Sequence, residues 1–422
     1  MKRRQLLAVA ALLGAGGALF GLRRDNGGSH SAYFRQMSRA LDNAGLARPT
    51  LVIDRERLLA NIKVLQGHLG DRFDYRIVAK SLPSVPLLET VMRVSGSNRL
   101  MVFHQPFLNL VADRFPNADV LLGKPMPVSA ARRFYQQHNN AEFQPAAQIQ
   151  WLLDTCNRIA QYQQLAEQRN ETLRINLELD VGLRRGGFEN DADLAQALRM
   201  IEQSPLLEFS GFMGYEPHVA KMPGVLGGPA SAFDAAQDRY RRAVATAQEV
   251  LGRPLAGLTL NAAGSPTYER YTGGEVATEL AAGSALVKPL DFDLDTLADH
   301  QPASFIATPV IKALPSVKVP GIEGLAGISS WLNPNRAQTF FIYGGYWKAQ
   351  PESPPGLSNN GLFGRSTNQE MLNGSASVQL APDDWVFLRP TQSEHVFLQF
   401  GDIAVMEQGR IVEFWPVFTQ GA

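Results

Sequence analysis

The chain has 422 residues, of which 45% are hydrophobic, and its charges balance at 40 Lys and Arg against 40 Asp and Glu. This length exceeds one typical domain and predicts two, while the balanced charge argues against a nucleic-acid surface or an acidic tail. Its one cysteine, Cys156, excludes an intrachain disulfide and a multi-cysteine metal site.

The N-terminus has the features of an export segment. Met1-Lys2-Arg3-Arg4 precedes an apolar run over residues 6–22 that is rich in Ala, Gly and Leu. Such a run is typical of a signal sequence or a short anchor, and Arg3-Arg4 resembles a twin-arginine export signal. We expect residues 1–24 to direct export across a bacterial inner membrane, which leaves the chain periplasmic or attached to the membrane through this segment. A cytosolic chain with an apolar leader is the alternative.

Residues 25–48 are typical of a linker with one short helix. From Pro49 onward, short β-rich runs alternate with helical stretches, which is the pattern of βα units that build a parallel sheet. Strands are predicted near 76–79, 100–103, 119–122, 147–150, 174–180, 209–214, 256–261 and 276–287. Helices are predicted at 54–68, 84–95, 106–114, 128–138, 156–169, 191–203 and 233–251.

Eight strands within residues 49–295 predict an α/β fold of the (β/α)8 TIM-barrel type. An open doubly wound sheet is the alternative, weakened because no Gly-x-Gly-x-x-Gly follows the first strand. After Pro289 the helical periodicity ends, and short alternating runs such as Thr339-Phe340-Phe341-Ile342-Tyr343 take its place. Residues 296–422 are therefore predicted as a C-terminal β domain, with a long ordered or lid-like loop over 350–373.

The unusual residues of the barrel segment fall at the ends of predicted strands, where TIM barrels place their catalytic groups. Lys80 ends the first of these strands, after the apolar run Ile77-Val78-Ala79. An apolar setting at a barrel mouth partly desolvates an amine and lowers its pKa, which is the condition for imine formation. A solvated surface lysine is the alternative.

The fifth and sixth strands also end in polar groups. Asp180 is followed by Arg184 and Arg185 among glycines, which let the backbone approach a ligand while an arginine holds an anionic oxygen. The sixth strand leads to Tyr215 and His218, which can stack on a ring or hydrogen-bond to it. A surface turn and ordinary packing residues are the alternatives at these two places.

Phosphate binding is predicted at the last two strands of the barrel. The seventh ends in Gly264-Ser265-Pro266-Thr267, where small residues before a helical turn form a nest of backbone N–H groups for a phosphate. The eighth brings Gly283 and Ser284 to the matching position.

Together these segments resemble the fold-type III pyridoxal-phosphate enzymes, in particular the branch of D-threonine aldolase and eukaryotic-type D-serine dehydratase; alanine racemase is a more distant relative. The resemblance covers roughly residues 48–415. The motifs that carry it are Pro49-Thr50-Leu51-Val52-Ile53-Asp54, Lys80 with Arg76 before it, Asp180-x-Gly182-x-x-Arg185-x-Gly187, Gly211-Phe212-Met213-Gly214-Tyr215 with His218, Gly264-Ser265-Pro266-Thr267, Thr278-Glu279-Leu280 with Gly283, and Ser393-Glu394-His395 with Gly401-Asp402.

The resemblance implies pyridoxal 5′-phosphate as the cofactor and an amino acid as the small-molecule substrate. It implies that Lys80 is the Schiff-base lysine, that Arg185 lies near the cofactor ring or its phenolic oxygen, and that Tyr215 and His218 line the ring. These four are the implied catalytic residues. The implied phosphate ligands are Gly264, Ser265, Gly283 and Ser284.

The sequence departs from this branch at its metal site. The aldolase and the dehydratase carry a His and, two residues later, a Cys or Asp in a tail motif, whereas this tail reads Glu413-Phe414-Trp415-Pro416-Val417-Phe418. We therefore predict no metal, because His395 alone makes a poor divalent site. Ala281 stands where alanine racemases place an arginine against the pyridine nitrogen, and Val78 stands where the branch often has His.

Four interpretations are open at this point, one of which is that the barrel serves unrelated chemistry, since the fold alone says little about function. The other three name a function. The first is a lyase acting on a D-amino acid. The second is a racemase, which needs an acid or base on each face of the ring; Tyr343 and Tyr346 are candidates for the second group, supplied across a homodimer. The third is a periplasmic protein that binds pyridoxal phosphate or an amino acid without catalysis.

Overall fold

The computed structural model describes residues 24–315, 333–361 and 364–419. The described residues divide into two compact units. A sheet unit is made of the residues up to Arg55, Ser304–Thr391 and Asp402–Phe414. A barrel unit is made of Glu56–Ala303, Gln392–Gly401 and the residues from Trp415 on.

The regular elements alternate through the barrel unit and are mostly strands in the sheet unit. The strands are β1 (Thr50–Asp54), β2 (Asp74–Val78), β3 (Arg99–Val102), β4 (Asp119–Leu122), β5 (Ile149–Leu153), β6 (Leu173–Leu179), β7 (Leu207–Gly214), β8 (Thr259–Ala262), β9 (Glu279–Ala282), β10 (Ser304–Pro315), β11 (Gln338–Tyr343), β12 (Ala349–Ser353), β13 (Ser358–Asn359), β14 (Gln369–Gly374), β15 (Trp385–Pro390), β16 (Asp402–Glu407) and β17 (Arg410–Pro416). The α-helices are α1 (Ala32–Asn43), α2 (Arg55–Leu69), α3 (Val85–Ser95), α4 (Gln105–Arg114), α5 (Val128–Gln137), α6 (Pro145–Gln148), α7 (Cys156–Arg169), α8 (Asp191–Glu202), α9 (Gly228–Leu251) and α10 (Ser393–Phe397).

Strands β2 to β9 close into a parallel barrel in chain order, and β9 pairs back onto β2. Helices lie between successive strands and turn buried apolar residues toward them, as Leu194 and Leu198 of α8 do. Closure confirms the predicted (β/α)8 fold and shows that the open-sheet alternative is wrong. It also brings the ends of all eight strands to one rim, where the candidate residues lie.

A charged cluster fills part of the barrel interior. Arg76 of β2 is fully buried, and its guanidinium donates to both oxygens of Glu279 on β9 and, at 2.7 Å, to Asp119 on β4. Asn261 donates to the same Glu279 carboxylate at 2.8 Å. A buried charge is tolerated only when it is paired and hydrogen-bonded in this way. The cluster therefore ties four strands, β2, β4, β8 and β9, together across the barrel.

The sheet unit has its own core. In the part of the chain that the structure describes, strands pair in the order β13-β14-β11-β10-β1-β16-β17, and β15 joins β10 and β12. Helix α1 packs Met37 and Leu41 against Val52 and Phe387 of this sheet. Its first turn is capped by the Ser31 hydroxyl, which accepts from the Phe34 N–H. The predicted C-terminal β domain is thus present as a mostly antiparallel sheet, to which the N-terminal elements add α1 and strand β1, the latter parallel to β16.

Three segments differ from the predicted boundaries. Strand β1, placed in the barrel by the prediction of 49–295, pairs with β10 and β16 of the sheet unit. Residues 25–48, predicted as a linker with one short helix, do contain that helix, α1, but it is packed into the core of the sheet unit. The predicted loop over 350–373 contains β13 and parts of β12 and β14. Each of these segments is placed by long-range pairing or packing, which a local sequence pattern does not record.

The predicted export segment lies almost wholly outside the described residues, which begin at Arg24. Of the helices in the described ranges, none combines the length and apolar character required to cross a membrane.

Candidate active site

A cavity of about 590 Å³, counted to its open mouth, lies at the C-terminal ends of the barrel strands. Its walls come from strand ends and the turns that follow them, such as Val78, Met213 and Ala281. Seven of the eight predicted site residues line it: Lys80, Arg185, Tyr215, Gly264, Ser265, Gly283 and Ser284. The fold therefore brings into one cavity residues that are separated by about half the chain.

Lys80 lies on a short 3-10 turn that follows β2. Its Nζ donates to Glu394 Oε1 at 3.3 Å and lies 4.6 Å from the centroid of the Phe103 ring. The side chain is 39% exposed, so the amine sits at the cavity mouth rather than in the dry barrel interior. An amine in this place can meet a ligand that enters from solvent.

The predicted phosphate nest has converging donors. The backbone N–H groups of Gly283 and Ala285 both donate to Ser265 Oγ, at 3.2 and 2.9 Å. These two N–H groups and the Ser265 hydroxyl therefore lie together at the predicted phosphate position, where converging N–H groups are suited to an anionic oxygen. The Gly264 N–H donates to Thr267 Oγ1 at 3.2 Å and fixes the turn from the other side.

Glycine is required where this nest meets its neighbours. A Cβ on Gly283 would lie 2.7 Å from the Val78 carbonyl oxygen, and a Cβ on Gly264 would lie 2.4 Å from the Tyr215 ring. Both distances are far inside van der Waals contact. The absent side chains therefore let the nest and the Tyr215 ring approach one another.

Arg185 and Tyr215 form another wall of the cavity. The Arg185 guanidinium carbon lies 5.3 Å from the centroid of the Tyr215 ring, within the range of a cation–π contact. Burial raises the pKa of Tyr215 to about 12, and the nearby Glu216 carboxyl adds to the rise. The phenol is therefore neutral at physiological pH and offers a hydrogen-bond donor beside an arginine.

His218 is the predicted residue that the cavity does not include. Its Nε2 lies 3.0 Å from the point where a Cβ on Gly182 would stand, and its Nδ1 is buried without a hydrogen-bond partner. Burial lowers the pKa of His218, and the charge of Asp180 opposes that effect. The imidazole thus belongs to the loop after β6 rather than to the cavity wall.

Two further residues belong to the site although sequence reasoning gave them no role. Glu394, on α10, lines the cavity and contacts Lys80. Glu216 is 1% exposed and accepts from Thr267 Oγ1 at 2.7 Å. This hydrogen bond holds the turn over residues 264–267. Burial raises the pKa of Glu216 to about 7. The Ser393-Glu394-His395 motif is the sequence signal for Glu394, whereas no local sequence pattern marks Glu216.

These features fit pyridoxal phosphate. The group needs an amine for its aldehyde, an anion site for its phosphate and flat walls for its ring, and the cavity offers Lys80, the nest at Gly283 and the Tyr215 ring. The Asn261 Oδ1 is a buried oxygen of this cavity that lacks a hydrogen-bond partner. Across residues 24–315, 333–361 and 364–419, no three His, Cys, Asp or Glu side chains are grouped as ligands for a metal ion.

Sequence comparison places this geometry in a family. Residues 53–290, more than half of the chain, match the model of the alanine racemase N-terminal domain. The chain belongs to the family of the alanine racemase N-terminal domain. Membership confirms the predicted family, and with it the predicted cofactor, pyridoxal 5′-phosphate. The search of curated proteins gave no match.

Solved structures share the alanine racemase-type fold over most of this chain. D-threonine aldolase from Filomicrobium marinum is 15% identical, with 88% of this chain and 95% of that chain covered and a TM-score of 0.70. D-threo-3-hydroxyaspartate dehydratase from Delftia sp. HT23 is 16% identical, with 94% and 99% covered and a TM-score of 0.68. Alanine racemase from Bacillus anthracis is 14% identical, with 88% and 98% covered and a TM-score of 0.65. At these identities the likeness shows the fold, which aldolase, dehydratase and racemase have in common.

Proposed function

We propose that this chain is a pyridoxal-phosphate-dependent lyase that acts on a D-amino acid, of the D-threonine aldolase and D-serine dehydratase type. The observation that carries the proposal is a single cavity that contains the Lys80 amine and is walled by Ser265 and Gly283, where two backbone N–H groups converge on one oxygen. An amine and an anion nest in one cavity at a barrel mouth match the two ends of the cofactor.

Different residues of the cavity would bind different parts of the cofactor. Lys80 would hold the cofactor through its amine, and the turn at Gly264 and Ser265 with Gly283 and Ser284 would hold its phosphate. When bound, pyridoxal phosphate withdraws electrons from the Cα of an attached amino acid. Arg185, which carries a planar pair of donors, is the group suited to the substrate carboxylate or to the phenolic oxygen of the ring.

The distribution of proton-transfer groups supports cleavage over racemisation. Tyr215 is neutral at physiological pH because its pKa is about 12, so it donates but does not accept a proton there. Lys80 and Glu394, 3.3 Å apart, lie on the same side of the cavity. Racemisation runs in both directions, so it needs, on each face of the substrate, a group that both donates and accepts a proton. A basic group on one side is enough for a lyase.

The proposed lyase works without the metal pair of the branch it resembles. The tail over residues 413–418 contains neither the His nor the Cys or Asp of that pair. Hydrogen-bonding groups of the cavity, such as the Tyr215 hydroxyl, would then have to hold a substrate hydroxyl. Activity is therefore expected to survive treatment with a chelator.

The test is a substrate panel with three distinct products. Protein reconstituted with pyridoxal phosphate would be given D-threonine, D-serine, D-alanine and their L-enantiomers, with and without a chelator. We expect an aldehyde or a 2-oxo acid from a D-amino acid and no product with the Lys80→Ala variant. Inversion of optical rotation without cleavage would replace the lyase by a racemase. Tight cofactor binding without turnover would replace it by a binding protein.

The proposed location follows from the N-terminal sequence alone. Arg3-Arg4 and the apolar run over residues 6–22 support export to the periplasm or attachment to the inner membrane. A folded protein that carries its cofactor suits the twin-arginine route.

A further inference from the structure

We propose that Glu394 is the catalytic proton acceptor and donor for the Lys80 amine. The inference rests on the proposed role of Lys80 as the residue that holds the cofactor. It concerns the steps in which the amine has to lose a proton before it attacks an aldehyde and regain one when it leaves.

The two oxygens of Glu394 have different partners. Oε1 lies 3.3 Å from Lys80 Nζ, and Oε2 accepts from Ser81 Oγ at 3.4 Å. Ser81 Oγ in turn accepts from Ser284 Oγ at 3.0 Å. One oxygen is thus aimed at the reacting nitrogen, while the other is tied to a hydroxyl chain that ends at the predicted phosphate site. The carboxylate is oriented rather than simply near.

The helix that carries Glu394 is firmly seated in the barrel unit. Ser393, Val396 and Phe397 of α10 are all fully buried. The Glu394 side chain itself stays 32% exposed and reaches the cavity that contains Lys80. A buried helix therefore presents one carboxylate at the cavity mouth.

The charged and titratable groups near Glu394 are side chains that line the same cavity. Lys80 is its ion-pair partner, and Arg185 and Tyr215 line the same cavity. The Glu394 charge is also among the influences that raise the pKa of Tyr215. An ion pair as exposed as that of Lys80 and Glu394 adds little to the stability of a fold. Its position at the reacting nitrogen is better explained by proton transfer.

The proton transfer balances without another reactant. An ammonium has no lone pair, so the N–H bond of Lys80 has to break before the nitrogen attacks. The proton passes to Glu394, where an O–H bond forms, and no oxidation or reduction occurs. In the reverse direction the same O–H bond breaks and the proton returns to the departing nitrogen. A positioned acid or base contributes about 100-fold or more to such a step.

The test uses the full chain freed of cofactor and then mixed with pyridoxal phosphate. The first measurement is the rate at which the visible absorbance of the bound cofactor grows. We expect Glu394→Gln to capture the cofactor about 100-fold more slowly than wild type, and Glu394→Asp, which keeps a carboxylate, to recover part of the rate. Glu249→Gln, an exposed change on α9, serves as the matched control.

The second measurement is the pH titration of that absorbance in the loaded protein. Because Glu394 handles that proton in the proposal, Glu394→Gln should change the pH midpoint of the absorbance, which a purely structural role would leave in place. Rates and midpoints of Glu394→Gln equal to those of wild type would overturn the inference. If the Gln variant does not fold, a wild-type rate in Glu394→Asp would overturn it and a slower one would support it. Failure of wild type to capture the cofactor would instead refute the proposed function.

Discussion

Two residues of the cavity wall, Gly264 and Gly283, lie too close to their neighbours to carry a side chain. Gly283 approaches the Val78 carbonyl and Gly264 approaches the Tyr215 ring so closely that neither position has room for a Cβ. The Ser265 hydroxyl lies where the N–H groups of Gly283 and Ala285 meet. The close contacts explain why positions 264 and 283 are occupied by glycine.

The buried Glu216 carboxyl predicts a pH dependence of stability. Its pKa is raised from 4.5 to about 7 by burial. A raised carboxyl pKa gives stability that is fully present below the unfolded value and is lost as the pH rises through about 7. A shift of this size corresponds to roughly 3 kcal/mol at high pH. Glu216→Gln should therefore gain stability relative to wild type as the pH rises from about 4.5 to about 7, and should gain no more above that pH.

Chemical denaturation at a series of pH values measures this effect. Glu178 also has a pKa raised to about 7, by burial and by the charge of Asp154, so the variant loses only part of the wild-type slope. Glu249→Gln is again the exposed control. Parallel profiles for wild type and Glu216→Gln would show that Glu216 is ionised in the folded protein at neutral pH.

Residues that follow strand ends could be found in the sequence, and residues held by long-range contacts could not. Lys80, Arg185 and Tyr215 were predicted because each follows a recognisable strand, and all three line the cavity. Glu394 lies 314 residues from Lys80, so no local spacing joins them. His218 follows a strand as well but turns toward Gly182, since side-chain direction in a loop depends on its packing.

At the scale of elements, the charged cluster inside the barrel carries the next prediction. Glu279 of β9 is 1% exposed and accepts from Arg76, Arg99 and Asn261. Its replacement leaves the fully buried Arg76 with a single carboxylate, that of Asp119. We expect Glu279→Gln to lower the free energy of unfolding by about 3 kcal/mol, because removing one partner of a buried ion pair costs about this much.

Urea denaturation of wild type, of Glu279→Gln and of a control variant checks this expectation. Glu208→Gln, an exposed change on barrel strand β7, is the matched control and should leave the midpoint unchanged. A midpoint for Glu279→Gln that equals the wild-type value would mean that the barrel does not depend on this cluster.

Element types were predictable where the local pattern was strong. The barrel strands and helices follow the predicted βα rhythm to within a few residues, as β4 and α7 show. Strand β1 is buried along its whole length, and such an apolar run looks the same in a barrel and in a sheet. Pro351 in β12 and the short β13 are typical of a loop in sequence, yet both strands are fixed by pairing.

For the whole molecule, the fold was predictable and the reaction was not. Alternating strands and helices over about 240 residues admit few architectures, and the family match over residues 53–290 agrees with them. Aldolase, dehydratase and racemase structures share this fold at 14–16% identity. A fold hosts many reactions, so the reaction depends on individual side chains at the strand ends.

The measurement that tests the account most directly is the position at which the cofactor becomes attached. Protein loaded with pyridoxal phosphate would be reduced with borohydride, digested and mapped by mass spectrometry. We predict the reduced cofactor on the peptide that contains Lys80, and no stable label in the Lys80→Arg variant. A label on another lysine, such as Lys124 or Lys288, or no label at all on the wild-type protein, would contradict the assignment of this cavity as the active site.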